Sequence, residues 1–387
     1  MDSARQSSLE GIISSSSPPL WNIDQRAQGQ ARFYRIIQHF ETVASNDDCN
    51  GQYNQPKLVR LTYDHARSEA SKDMFLQAFF HLAELPIEGE HEIDLNDDSK
   101  RLGSVVSEFA DYLFDNLFLP LRASSVKTPQ LSPLIHSAVL RAQGGAGVQH
   151  FVGTPERVAG LRGDCLIRDR YRCVISRRFE IQEAAKRLKE AREAGREATD
   201  NDGNLLRAES QFEFLEVAHI LPHSLTKTDK DAELHPSKKA ALHILNMFDN
   251  GMIHLIEGSD IDRPRNAITL IHSLHGLFGS FDIFFEPIPE KENTYRIQSF
   301  LDPLLVRDLP VVRTLFLTED RNIEPPSLRL LALHSAIGHI LHLSGAGEYI
   351  DSILRDAEWK DTSADGSTQL GHLVSLKLHG WLDQEVH

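Results

Sequence analysis

Three residues met in order along the chain, His219, Asn266 and His275, are of the types that hydrolysis of a phosphodiester bond requires. Such a reaction needs a base to activate water, a hard cation to neutralise charge developing on the phosphate, and a rigid loop to hold both. His219 follows the apolar Phe214, Leu215 and Val217 and precedes Pro222, which ends a strand and leaves the imidazole at its mouth, a position suited to a general base. Asn266 stands directly before the apolar Ala267-Ile-Thr-Leu270, where it can tie down the loop carrying His219 or ligate a metal through its amide oxygen. His275 comes after the strand has had room to turn into a helix, so that it can face His219 across the hairpin as a metal ligand.

With 19 histidines in the chain, a His, Asn, His order alone decides nothing, and the flanking residues carry the argument. They read Arg172-Cys-Val-Ile-Ser176, then Glu216-Val-Ala-His-Ile-Leu-Pro-His-Ser224, then Ile261-Asp-Arg-Pro-Arg-Asn266 on through His275 to Phe285-Glu-Pro287. This pattern resembles the HNH endonuclease superfamily with its ββα-metal fold, and within it the HNH nuclease-domain proteins of filamentous fungi. The resemblance implies a metal-dependent endonuclease acting on nucleic acid, with DNA as the expected substrate. It assigns His219 as general base, Asn266 as the residue that orients the loop, and His275 as a ligand of Mg²⁺, Mn²⁺ or Zn²⁺ acting as Lewis acid.

Two departures from that pattern matter. Many HNH enzymes place Asp or His directly before the general base as a metal ligand, whereas this chain has Ala218, whose methyl group cannot coordinate. His223, His272 and Asp282 are near enough in sequence to take its place. The cysteine pairs that bind structural zinc in many HNH proteins are also missing, since Cys165 and Cys173 are too widely separated to form a knuckle. The alternative reading is therefore a catalytically impaired HNH-fold module that binds nucleic acid or regulates.

Substrate phosphate would need positive charge. The chain carries a net −15, so any contact must be local. Arg168, Arg170, Arg172, Arg177 and Arg178 crowd around Cys173 and form the candidate phosphate-facing patch. A salt-bridged surface is the competing reading of the same arginines.

The elements around the site follow from periodicity. The spacing of Phe33, Ile36, Ile37 and Phe40, of Met74, Phe75, Ala78 and Phe79, and of Val105, Val106, Phe109, Leu113 and Leu117 predicts amphipathic helices. The expected division is a disordered Ser-, Pro- and Gln-rich tail over 1–28, a helical domain over 29–125 and an HNH domain over 150–305. A charged helical insertion falls over 183–211, and a C-terminal helical segment over 306–387. The acidic run Glu88 to Asp98 reads as a solvated loop, and the Pro- and Gly-containing region around 125–150 as a boundary. The fold class is α+β, a ββα-metal module flanked by helical segments. Three cysteines with no CxxC pair argue against a disulfide scaffold. No secretory start and no apolar run long enough for a bilayer point to an intracellular protein, cytoplasmic or nuclear, with nucleic acid rather than membrane as partner.

Overall fold

A computed structural model describes residues 21–46, 53–86, 98–125, 154–228, 233–359 and 370–382. Most of the expected tail, the acidic run up to residue 97 and most of the expected boundary region lie outside the described residues.

The chain begins helically: α1 Ile23–Asn46, α2 Gln55–Asp64, α3 Glu69–Leu82 and α4 Ser99–Leu113, which runs through a π-helical turn at Phe114–Phe118 into α5 Leu119–Ser125. The first helix thus starts at Ile23, inside the segment read as tail. Its N-terminal turn is held where Arg26 pairs with the buried Asp73 on α3. The next two helices start where the sequence supplies a cap: the Asn54 side chain accepts the Lys57 N–H with proline in the first turn, and Ser68 accepts the Ser71 N–H. Their apolar faces meet in an aromatic core in which Phe33 lies 5.0 to 5.7 Å, ring to ring, from Tyr63, Phe75 and Phe79.

Next come α6 Thr154–Arg168, β1 Phe179–Glu180, α7 Ile181–Glu193, β2 Phe212–Glu213, β3 Leu215–His219 and α8 Pro236–Phe248. They are followed by β4 Ala267–Ile271, α9 His272–Gly279, β5 Ile283–Pro287, β6 Thr294–Ser299 and β7 Val311–Thr314. Three helices close the chain, α10 Leu328–Ser344, α11 Ala346–Trp359 and α12 Leu370–Leu378. The architecture mixes many helices with small sheets, as the α+β reading requires. Strand β7 lies within the segment expected to be helical. It is a strand because Val311 to Thr314 complete the antiparallel order β5-β6-β7 by pairing with β6.

Two compact units result. One gathers Met1–Ser124, Ser224–Glu257 and Ala336–His387; the other gathers Ser125–His223 and Gly258–Ser335. The division is discontinuous where the sequence suggested consecutive domains, because the excursion Ser224–Glu257, containing α8, packs with the helices of the first unit: the Ser71 hydroxyl donates to the Asn246 carbonyl, and the Arg67 N–H to that of Phe248.

In the second unit β3 and β4 pair antiparallel in the register Leu215↔Ile271 to His219↔Ala267, and α9 follows β4 without a linker. Helix α6 packs against this hairpin, where Leu161 and Cys165 are buried with Val217 and Ala267. All five residues of β4 are buried, so the hairpin is a fixed platform for the side chains at its ends.

Candidate active site

The strand β3 ends at His219, and the turn that follows is locked to the other strand by Asn266. The Asn266 carbonyl accepts the Ile220 N–H at 2.8 Å, its side-chain oxygen accepts the Leu221 N–H at 3.0 Å, and its amide donates to the carbonyls of Leu221 and Ile261 at 3.0 and 2.8 Å. Asn266 is fully buried, and both ends of its amide are spent on backbone. It binds the loop after His219 to the loop before β4, the first of the two tasks the sequence left open for it.

His219 is buried, and its Nε2–H donates to Asp262 Oδ1 at 3.2 Å. His223 Nδ1–H donates to the same oxygen at 2.8 Å, and Arg157 Nε donates to Oδ2 at 3.1 Å. Burial alone would raise the pKa of Asp262, but the hydrogen bonds from His219 and His223 and their charge hold the carboxyl well below the ordinary carboxylate range. The Nδ1 of His219 is buried and has no hydrogen-bond partner.

On α9, His275 is buried and its Nδ1–H donates to Glu216 Oε2 at 2.6 Å. His272, one turn earlier and 87% exposed, donates to the other Glu216 oxygen at 2.9 Å. Burial lowers the basicity of His275; Glu216 opposes this, while charge on His272 and on His219 adds to the lowering. Burial works to raise Glu216, but the hydrogen bonds from His275 and His272 leave it lowered.

Of the three residues proposed to replace the ligand missing at Ala218, His223 joins His219 in one group, His272 sits beside His275, and Asp282 lies in the turn after α9, where Ser280 Oγ donates to its Oδ2 at 2.6 Å. Among the described residues, one group has the atoms and spacing to hold a metal ion: His219, His223 and Asp262, with one ligand atom each, all within 4.8 Å of one another. Asp262 and Glu216 both stand in the segments quoted from the sequence, yet nothing in local spacing gave either a role.

The arginines around Cys173 are committed to protein partners. Arg168 is a correction to the expected phosphate patch: its side chain is fully buried, paired with Asp169 at 2.8 Å, and donates to the carbonyls of Pro264 and Ala267, which bracket Asn266. It therefore buttresses the turn that locks the His219 loop. Arg170 pairs with Asp202, and Arg172 with Asp200 and Glu209, carboxylates supplied by the charged insertion. Arg177 donates to the Thr314 carbonyl and lies over the Phe316 ring, and Arg178 pairs with Glu213 and Asp308. Cys165 and Cys173 are free and buried.

Comparison with known proteins bears on the central segment. Residues 173–286 match the sequence model of a family described as HNH endonuclease. That segment holds β3, the locked turn, β4 and α9, so the match supports a relationship of this segment to HNH endonucleases, and nuclease action on nucleic acid is the activity it suggests. No curated protein and no solved structure matches the chain. Among the described residues no helix is long and apolar enough to cross a membrane.

Proposed function

We propose that the domain hydrolyses phosphodiester bonds in DNA with a divalent metal ion, using His219 as general base. The observation that carries this is the single unpartnered nitrogen of His219. Asp262 is a carboxylate and can only accept, so a His219 proton resides on Nε2, and whenever the ring is neutral its lone pair lies on Nδ1. A lone pair with no protein partner, on a ring fixed at a strand end, can take the proton of a water that reaches it.

Metal chemistry fits the neighbouring donor. The Nδ1–H of His275 is claimed by Glu216, an arrangement of the kind that fixes the tautomer of a metal-ligating histidine. Bound there, a divalent ion would act as Lewis acid on the scissile phosphate. Arg170 and Arg178, each about a third exposed, can exchange Asp202 and Glu213 for substrate phosphates.

A second reading has its own observation: His219, His223 and Asp262 lie close enough to hold an ion. Metal held there would occupy His219 and leave a nucleic-acid-binding or regulatory module. The test is incubation of purified protein with supercoiled plasmid in Mg²⁺, Mn²⁺, Zn²⁺ or chelator, beside His219→Ala. Metal-dependent nicking that disappears in the variant supports the nuclease; wild-type protein inert in every ion supports the binding module.

A further inference from the structure

We infer that Asp262 is the positioning residue of the base: it selects the tautomer and orientation of His219 rather than serving as a metal ligand. The inference rests on the nuclease reading of the same site.

Its carboxylate is buried and receives three donors, His219 Nε2–H and His223 Nδ1–H on one oxygen and Arg157 Nε–H on the other. Charge-assisted bonds of this kind are stronger than neutral ones, and three on one carboxylate fix its plane. The backbone is fixed as well. Asn266 donates to the carbonyl of Ile261, the residue before Asp262, and accepts the N–H of Leu221, two residues after His219. One amide thus sets the loop that carries the carboxylate against the loop that carries the imidazole, although 43 residues separate them.

The consequence is chemical. An imidazole free to exchange tautomers offers its lone pair on the reactive side only part of the time, and an acceptor-only carboxylate on Nε2 removes that choice. The same three atoms could hold a cation only if both imidazoles gave up the protons that now bind Asp262, because a nitrogen ligand must present its lone pair. The proton given up by Nε2 of His219 would then have to sit on Nδ1, which is buried without an acceptor. Positioning accounts for all three contacts on Asp262 and for the unpartnered Nδ1 of His219.

The experiment uses the full chain, labelled with ¹⁵N-histidine, as wild type, Asp262→Asn and His223→Phe, with three readouts: the His219 tautomer by NMR, Mn²⁺ affinity by calorimetry, and kcat and KM on plasmid. In Asp262→Asn the expected results are a loss of the single Nε2–H signature, a fall in kcat of about 10²- to 10⁴-fold at unchanged KM, and Mn²⁺ affinity within threefold of wild type. His223→Phe, which keeps ring packing should the first variant fail to fold, is expected to retain Mn²⁺ affinity and the His219 tautomer. A fall in Mn²⁺ affinity of more than tenfold in either variant would make the group a metal cage and overturn the inference, as would an unchanged tautomer in Asp262→Asn. Wild-type protein inactive in every ion would refute the nuclease reading alone, while the tautomer and affinity readouts would still decide the role of Asp262.

Discussion

At the ends of the β3–β4 hairpin, two carboxylates, Asp262 and Glu216, are paired with imidazoles; around Cys173, Asp169, Asp200, Asp202, Glu209 and Glu213 are paired with guanidinium groups. Both regions lie in the same unit, and both obey the rule that buried charge is paired. They differ in what the pairing leaves over. A guanidinium has only donors and never loses its proton, so an arginine buried against carboxylates and carbonyls, as Arg168 is, serves as structure. An imidazole held through one nitrogen keeps a lone pair on the other, so the same pairing that fixes it also aims it. The arginine cluster, the most visible feature of the sequence, is largely paired within the protein, and the proposed chemistry rests on residues tied by less conspicuous partners.

The comparison breaks most directly at His219. His219→Ala should lower metal-dependent cleavage by about 10²- to 10⁴-fold with an unchanged circular dichroism spectrum; residual cleavage above a tenth of wild type would place the base elsewhere. On the scaffold side, Arg168→Ala strands Asp169 in the interior and should cost about 3–5 kcal/mol in a denaturant titration, an effect on folding rather than on the chemical step. A fully active, equally stable variant would remove the claim that this pair buttresses the Asn266 turn.

Glu216→Gln tests the second imidazole. Loss of a carboxylate behind a metal-ligating histidine lowers metal affinity by about 10- to 100-fold, readable as Mn²⁺ binding, and an unaltered affinity would detach His275 from the ion.

His334 sharpens the contrast further, being a buried imidazole with no carboxylate. Its Nε2–H donates to the Phe278 carbonyl at 3.0 Å, its ring stacks on Phe278, and burial pushes it down to about 3. Between the ordinary value of 6.5 and about 3 the unfolded chain binds a proton that the folded chain does not. Its contribution to stability is therefore retained above 6.5 and lost as the pH falls through that window, with a slope of up to about 1.4 kcal/mol per pH unit. His334→Leu should flatten that part of the stability profile, measured by melts at stepped pH; an identical profile would mean another group sets it. The smallest effect is expected for Arg178→Ala, whose partners are exposed: a change of at most about 1 kcal/mol in stability.

Much of the site could be read from the chain because it is locally encoded. His219 ends its strand three residues before Pro222, Asn266 opens the next strand, and α9 starts at His272, so that His275 lies on its first turns. The helices of the first unit follow from apolar spacing and from caps at Asn54 and Ser68. Three features were not legible in this way. Strand β7 is too short to show a period and exists because β6 offers an edge to pair with. The excursion Ser224–Glu257 leaves one unit for the other because of what α8 packs against. The fate of Arg168 depended on carbonyls at Pro264 and Ala267, about a hundred residues away.

By itself the sequence determined the hairpin-and-helix frame, the three residues of the His, Asn, His order and the match to HNH endonucleases, since each rests on residues adjacent in the chain. Only the tertiary structure decided which of the 56 acidic residues meet those histidines. Asp262 reaches His219 across 43 positions and Glu216 reaches His275 across 59, and no short-range period specifies such a pairing. Folding brings the carboxylates to the rings, and with them the tautomers on which the proposed chemistry depends.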